Sequence, residues 1–483
     1  MMPNAAFRSL TWIKLRSIRS DYTGGMDTSQ QLKALLASVT GPRYTSYPTA
    51  DRFTEAVGES QWCQALDQRN NLPTRTPLSL YVHVPFCRNI CYYCACNKVI
   101  TRDAGKVRPY LDALFAEIDT VADILKPRTP VLQLHLGGGT PTYLDDAELE
   151  LLVLRLESRF QFDPRAQRSI EVDPRTVDKE RLSALRAMGF SRLSLGVQDF
   201  NPATQQAVNR VQSAAQVANL THAARQLAFE SINFDFILGL PHQSCATLQE
   251  TLQTAIDLQP DRVALYNYAH LPERFKPQRR IEPAALPSLD EKIAMQALAV
   301  QMFTQAGYEH IGMDHFALPT DELAVALRQG RLHRNFQGYT TLPDADLLGF
   351  GVSAISRVGP VFVQNDRDLE SYQDLVEQGR LPVMRGHVST REDLLRQRII
   401  MALMCQGYVD FESVETEFLI DFRRHFAAEL QRLAPYVQQG HLVDSGDALE
   451  LTLTGWYVVR NIAMVFDSYL TADRLHAAYS RVL

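Results

Sequence analysis

Six short runs rich in β-branched and aromatic residues alternate with longer segments of helical period, and this alternation constrains the fold of the 483-residue chain more than any other feature. The runs are 78-LSLYVHVP, 131-VLQLHLGGG, 169-SIEVDP, 192-RLSLGVQDF, 232-INFDFILGLP and 262-RVALYNYAH, each running into Gly, Pro, Asp or His. Between them 109-PYLDALFAEIDTVADIL, 145-DDAELELLVLRLESRF, 177-VDKERLSALRAMGF and 213-SAAQVANLTHAARQLAF repeat apolar residues at helical spacing. Strand-helix alternation of this kind means βα units on a parallel sheet, closed or partly closed as a barrel or opened as a doubly wound sheet. Polar residues sit at or just after the strand ends, the face on which barrel sites are built.

The rhythm fails after about residue 310. There 311-IGMDHFALPTDELAVALRQGRLHRNFQGYTT reads as irregular structure and one helix, followed by 346-DLLGFGVSAIS. From 390-TREDLLRQRIIMAL the pattern is helical, and 438-QQGHLVDSGDALELTLTGWYVVRNIAM reads as a hairpin and a helix. The expected organisation is an extension over 1–25, an N-terminal segment over 26–76, a βα barrel with its extension over 77–365, and a smaller, mostly helical C-terminal domain over 366–483. Residues 1–25 carry Arg8, Lys14, Arg16 and Arg19 before the first acid, Asp21, without an apolar core segment. That excludes a secretory signal and fits either a start codon set too far upstream or an organelle transit segment.

A net charge of −6 gives no basic excess to track a phosphate backbone, so nucleic acid is not expected as a partner. No run approaches the roughly 20 apolar residues of a membrane span. Seven cysteines, an odd number, are no disulfide framework in so long a chain, and a reducing cytoplasm is the expected setting.

Four of the seven stand within ten residues, 87-CRNICYYCAC-96. Cys87, Cys91 and Cys94 form C-x3-C-x2-C, with Cys96 two residues on, while Cys63, Cys245 and Cys405 stand alone. Zinc sites pair C-x2-C with a second, distant pair, which is missing here. A [4Fe-4S] cluster takes Cys thiolates; three would leave one iron open to a chelating amino-acid group. Four idle, packed cysteines are the bland alternative.

C-x3-C-x2-C after the first strand of a βα array resembles the radical S-adenosylmethionine (SAM) superfamily. The segments 41-GPRYTSYPTA, 81-YVHVPFCRNICYYCACNK, 135-HLGGGTPTYL, 171-EVDPR, 196-GVQDFN, 233-NFDFILGLP, 267-NYAHLP, 312-GMDHFA, 333-HRNFQGYTT and 346-DLLGFGVSAIS resemble the oxygen-independent coproporphyrinogen III oxidase family over about residues 41–470. The resemblance implies a radical SAM (β/α) barrel, a [4Fe-4S] cluster on Cys87, Cys91 and Cys94, and two bound SAM molecules. Tyr81, Tyr93, Gly138, Glu171 and Ile355 would line the cluster-bound SAM; Gly139, Thr140, Gln198, Arg210, Asp235 and Ala269 would line the second. By charge and hydrogen-bond type, Glu, Arg and Asp suit an ammonium, a carboxylate and a ribose diol. Singly, such residues are more often caps or salt bridges, and a Gly-rich turn such as 137-GGGTPT is more often just a turn.

Cys96 matches the family's extra cysteine, a hydrogen donor or substrate contact; with Glu171 it is a candidate catalytic residue, against the plainer reading of a small packed thiol. Haem-carrying relatives generally lack that cysteine and the GPRYTSYPT segment. The implied activity is oxidative decarboxylation of two propionates of coproporphyrinogen III to give protoporphyrinogen IX, in a monomer fed by a flavodoxin- or ferredoxin-like electron donor. The alternative is a haem-binding or haem-transfer protein on the same barrel. Arg43, Lys98 and Arg334 are candidates for the substrate's four carboxylates, since such groups suit Arg. His270, His315 and His333 carry no assigned role.

Overall fold

The computed structural model describes residues 41–73, 76–125, 129–342 and 345–470. The expected extension 1–25 and residues 26–40 of the expected N-terminal segment lie outside the described residues. All six expected strands form: β1 (Leu78–Val84), β2 (Pro130–Gly138), β3 (Gln161–Val172), β4 (Arg192–Gln198), β5 (Ser231–Leu238) and β6 (Arg262–Asn267). They pair in chain order, each parallel to the next. Strands added always at the same edge by right-handed crossovers put their helices on one face, the winding of a barrel rather than of a doubly wound sheet.

Between the strands run α1 (Glu59–Asn70, ahead of β1), α2 (Val107–Ile124), α3 (Asp146–Arg159), α4 (Lys179–Ala187), α5 (Ala214–Gln226), α6 (Cys245–Leu258) and α7 (Leu289–Gln305). Their starts follow from local chemistry. Asp145 accepts from Glu148 N and the Glu148 carboxylate accepts from Asp145 N, each at 2.8 Å, a reciprocal cap that satisfies two otherwise orphaned amides. Leu149, Leu152, Val153 and Leu156 then bury one stripe against the sheet.

Past β6 the structure contains more strand than the broken rhythm suggested. β7 (Glu309–Gly312) and β8 (His315–Ala317) add antiparallel strands beside β6. After α8 (Glu322–Arg328) and a hairpin of His333–Asn335 with Gly338–Thr340, β9 (Asp346–Phe350) returns to the other edge and pairs parallel with β1. β10 (Ile355–Val358), β11 (Val361–Asn365) and β12 (Val383–Val388) follow antiparallel. The sheet runs β12-β11-β10-β9-β1-β2-β3-β4-β5-β6-β8-β7 with two free edges, so the barrel is partial. These strands are short and fall between turns, and so leave no period to read.

One core lies between the sheet and its helices and extends through Tyr372, Val376 and Leu381 of α9 (Leu369–Glu377) and the loop after it. A second core packs Ile311, Ala317 and α8 with α10 (Arg391–Gln406), α11 (Phe411–Phe418), α12 (Ala427–Gln438), α13 (Val459–Met464) and a three-stranded sheet of Tyr408–Asp410, Leu442–Asp444 and Ala448–Leu451. Tyr44 and Tyr47 of the N-terminal segment are buried in it, with Tyr44 OH donating to Asp467 at 2.8 Å. Residues 41–47 thus pack on the second core, while Trp62 and Leu66 of α1 pack on the first.

Glu117 of α2 is buried beneath the sheet's edge, accepting from Gly351 N at 2.8 Å, Asn365 Nδ2 at 2.6 Å and Tyr372 OH at 2.6 Å. Burial pushes its carboxyl up to about 7 against the pull of those three donors. A carboxyl whose folded pKa is raised contributes stability that is complete below its unfolded value near 4.5 and lost as pH rises through 7, worth up to about 3 kcal/mol. Thermal unfolding at pH 5 and pH 8 should therefore show a loss of melting temperature that shrinks in Glu117→Gln. An equal loss in both proteins would mean the carboxyl is ionised throughout.

Candidate active site

The cysteine loop begins where β1 ends. Phe86–Cys87 pairs parallel with Val99–Ile100, closing residues 88–98 into a loop, and Cys94 N donates to Cys91 O at 3.1 Å within it. Two further bonds fasten the loop to the segment after β4: Tyr92 N to Val208 O at 2.9 Å and Asn209 Nδ2 to Ile90 O at 2.7 Å. Lys98 Nζ donates to the carbonyls of Cys94 at 3.1 Å and Cys96 at 3.2 Å, so this candidate carboxylate ligand is committed to holding the loop.

Cys91 is buried, Cys87 and Cys94 are half-buried and Cys96 is exposed at the loop's turn. The Cys96 thiol hydrogen-bonds Cys94, and this, with Lys98 and against burial, draws the Cys94 thiol down to about 6. Cys87 Sγ lies 3.4 Å from Thr140 Oγ1, while burial pushes its thiol up to about 11. Cys91 Sγ faces two guanidiniums, Arg210 Nη1 at 3.5 Å and Arg175 Nη2 at 3.8 Å. Among the described residues no three His, Cys, Asp or Glu side chains converge as the ligands of one metal ion would. A cubane asks for a different arrangement, since each thiolate binds its own iron. The three sulfurs, the cationic surroundings of Cys91 and the glycine turn beside Cys87 fit such a cluster.

The Gly-rich turn at the end of β2 is tight for a physical reason. A Cβ on Gly139 would lie 2.5 Å from Pro85 O and 3.0 Å from Cys87 Sγ, and Gly138 holds φ +123° with Val84 O 2.8 Å from its missing Cβ. Only glycine lets this turn lie against the cysteine loop. Glu171, at the end of β3, accepts from Gly138 N at 3.2 Å and meets His135 Nε2 at 3.3 Å. Tyr81 pairs in register with His135 and Gly349, stacks on the His135 ring at 5.9 Å and meets His83 Nδ1 through its hydroxyl at 3.1 Å. Ile355 opens β10, its backbone against Gly349. Tyr81, Gly138, Glu171 and Ile355 thus lie on β1, β2, β3 and β10, with β9 between β10 and β1.

Of the other expected set, Gln198, Arg210, Asp235 and Ala269 lie further along the sheet, while Gly139 and Thr140 stand just past β2 beside Cys87. Gln198 ends β4 with φ +68°, and a Cβ on Gly196 would meet both Gln198 Nε2 and Arg210 Nη2 at 2.9 Å. Arg210 arrives from the loop after a short helix at Pro202–Ala207 and donates to Gly196 O at 2.6 Å and Asp173 Oδ2 at 3.2 Å. Asp235 on β5 accepts from Ser194 Oγ at 2.5 Å and Asn233 Nδ2 at 2.9 Å, and burial raises its carboxyl to about 6. Gln278 joins Tyr93, expected around the cluster-bound SAM, to Ala269 of this set, its Nε2 donating to both carbonyls, at 3.1 and 3.2 Å. Thr140 donates to Gly139 O at 2.8 Å.

Four participants escaped the sequence reading: His83, His135, Asp173 and Arg175. The two histidines share the alternating face of Tyr81 and Glu171, so the period of two already carried that signal. Asp173 and Arg175 lie within the quoted 171-EVDPR. Asp173 caps the turn at Pro174–Thr176 and binds Arg175 Nη2 at 2.6 Å, which brings one carboxylate between two guanidiniums beside Cys91.

A family model described as the radical SAM superfamily matches residues 81–255, and one described as the HemN C-terminal domain matches residues 389–458. The oxygen-independent coproporphyrinogen III oxidase of Pseudomonas aeruginosa is 46% identical over 447 residues, 92% of this chain and 96% of the relative. That of Escherichia coli K12 is 47% identical over 444 residues, again 92% and 96%. The solved structure of the Escherichia coli coproporphyrinogen III oxidase, described as a radical SAM enzyme, superposes with a TM-score of 0.85 at 47% identity and covers 89% of this chain and 98% of that one.

Proposed function

Because the chain belongs to the oxygen-independent coproporphyrinogen III oxidase family of radical SAM enzymes, we propose that it decarboxylates two propionates of coproporphyrinogen III to the vinyl groups of protoporphyrinogen IX without oxygen. The observation that carries this reading is the seating of the C-x3-C-x2-C loop against the Gly138–Gly139 turn, with Glu171 on β3, Asp235 on β5 and Arg210 reaching from its loop to Gly196 of β4 between them. The haem-transfer alternative finds no such support, since the relatives above are oxidases and Cys96 is present.

The family's [4Fe-4S] cluster and SAM supply, when bound, one-electron cleavage of SAM to a 5'-deoxyadenosyl radical that takes one hydrogen atom from a propionate β-carbon. Each propionate then loses carbon dioxide and passes one electron to an acceptor as its vinyl group forms. In this chain Cys87, Cys91 and Cys94 would hold the cluster. Glu171, fixed by Gly138 N–H and His135, would present a carboxylate to the SAM ammonium, with Tyr81, Tyr93, Gly138 and Ile355 around it. Gly139, Thr140, Gln198, Arg210, Asp235 and Ala269 would hold a second SAM. Cys96, exposed beside Cys94, would exchange hydrogen with substrate. The protein would work as a monomer in the cytoplasm, supplied by a flavodoxin- or ferredoxin-like donor; all seven cysteines are free, and no helix among the described residues is long and apolar enough to cross a membrane.

Anaerobic incubation of reconstituted protein with coproporphyrinogen III, SAM and a strong reductant tests the reading. Protoporphyrin after oxidation and chromatography is the expected product; SAM cleavage without it would mean the substrate is another molecule.

A further inference from the structure

Beyond the SAM residues lies a buried cationic pocket that the reading above does not use. Its centre is Arg334, on the hairpin before β9, only 4% exposed. The guanidinium stacks on the Tyr339 ring at 4.6 Å, yet Nε and Nη1 donate to no atom among the described residues. Burying an arginine with unpaired donors costs stability, so a fold that retains one gains elsewhere.

The surroundings point to an anion. Arg43 reaches over the end of β6 to donate to Asn267 O, and Arg460 lies near both arginines. Asp314 is the acid among them, and it already binds His315 Nδ1 at 2.7 Å. Three guanidiniums around one shared carboxylate leave an excess of positive charge in a place sheltered from water. Gln337 Nε2 on the same hairpin is a further donor without a partner among the described residues.

The pocket also communicates with the reaction site. From β6, Tyr266 contacts the His315 ring at 5.6 Å, His315 contacts Tyr339 at 5.0 Å, and Tyr339 lies under Arg334. Tyr266 feels the charges of Asp235 and Glu171 on one side and of Asp314 and Arg334 on the other. Tyr266 thus lies within electrostatic range of both Arg334 and the Glu171–Asp235 site.

We propose that Arg334, assisted by Arg43, binds a carboxylate of the tetrapyrrole substrate other than the one being decarboxylated, and so fixes which propionate faces the radical. The proposal rests on the functional reading above. A macrocycle with propionates around its rim is held by one while another reacts, and the same grip serves again after the ring turns for the second decarboxylation.

The test is steady-state anaerobic decarboxylation by the reconstituted holoenzyme, comparing Arg334→Gln, Arg334→Lys and Arg43→Gln with wild type, with the SAM-induced change in the cluster's EPR spectrum recorded for each. Arg334→Gln should raise KM for coproporphyrinogen III by about tenfold to a hundredfold, as expected for a lost charge-assisted hydrogen bond. Arg334→Lys should fall between, Arg43→Gln should shift KM in the same direction by less, and the EPR change should persist in all three. Unaltered KM in Arg334→Gln overturns the proposal, as does loss of the EPR response in both Arg334 variants, which would make the residue a support of the fold. A wild-type enzyme that turns over no coproporphyrinogen III overturns the functional reading along with it.

Discussion

Serine in place of Cys87, Cys91 or Cys94 will yield protein that carries no stable iron-sulfur chromophore and makes no protoporphyrinogen IX, whereas serine in place of Cys96 will keep the chromophore and still lose turnover. The first three sulfurs sit on a loop closed by the pairing of Phe86–Cys87 with Val99–Ile100 and fastened to Val208 and Asn209, so the fold presents them together. A hydroxyl cannot replace a thiolate as a cluster ligand at comparable strength. Cys96 is different in kind: it is exposed at the turn and hydrogen-bonded to Cys94. Absorbance near the visible thiolate-to-iron bands, iron and sulfide content, and product chromatography separate the two outcomes. A Cys96→Ser protein that loses its cluster would make Cys96 a ligand or its support, and one of full activity would remove it from the chemistry.

The second large effect concerns Asp173, a residue that recognition of motifs passed over. Its carboxylate is 9% exposed and stands between Arg210 at 3.2 Å and Arg175 at 2.6 Å, both aimed at Cys91. Removing one member of a buried ionic group leaves the others uncompensated and costs about 3–5 kcal/mol. Asp173→Ala should lower the unfolding free energy by that order and also release Arg210, so that SAM binding weakens even where the protein remains folded. Although burial opposes it, the two guanidiniums hold the Asp173 carboxyl below its usual range. A depressed folded pKa gives stability that is present above the unfolded value near 3.8 and lost as pH falls through the folded one. The acid limb of the wild-type stability profile should therefore flatten in Asp173→Asn, measured by denaturant unfolding between pH 5 and 3. A variant as stable as wild type with undiminished SAM affinity would show that Arg210 is held by Gly196 O and the backbone alone.

Local rules fixed much of this molecule in advance. The period of two in the runs at 78, 131, 169, 192, 232 and 262, and the helical period between them, demanded βα units, because a parallel strand can be reached only by a long crossover. The capping pair Asp145 and Glu148 lies within four residues of chain. The chemistry of C-x3-C-x2-C needed no third dimension either, since three thiols so close along the chain are held together by any fold that closes the loop.

Contacts between distant segments were decided only by the tertiary structure. Nothing local tells Asp346–Phe350 to pair with Leu78–Val84, or Val383–Val388 to finish the sheet, because a short strand takes its partner from whichever exposed edge offers unpaired backbone groups. Likewise Arg175 and Asp173 look in sequence like ordinary surface charges, and Arg210 and Arg334 stood out only through the family resemblance. Burial turns them into a compensated group beside Cys91 and an uncompensated one behind Tyr339. A charge acquires its meaning from the atoms around it, and here those atoms come from segments up to several hundred residues apart.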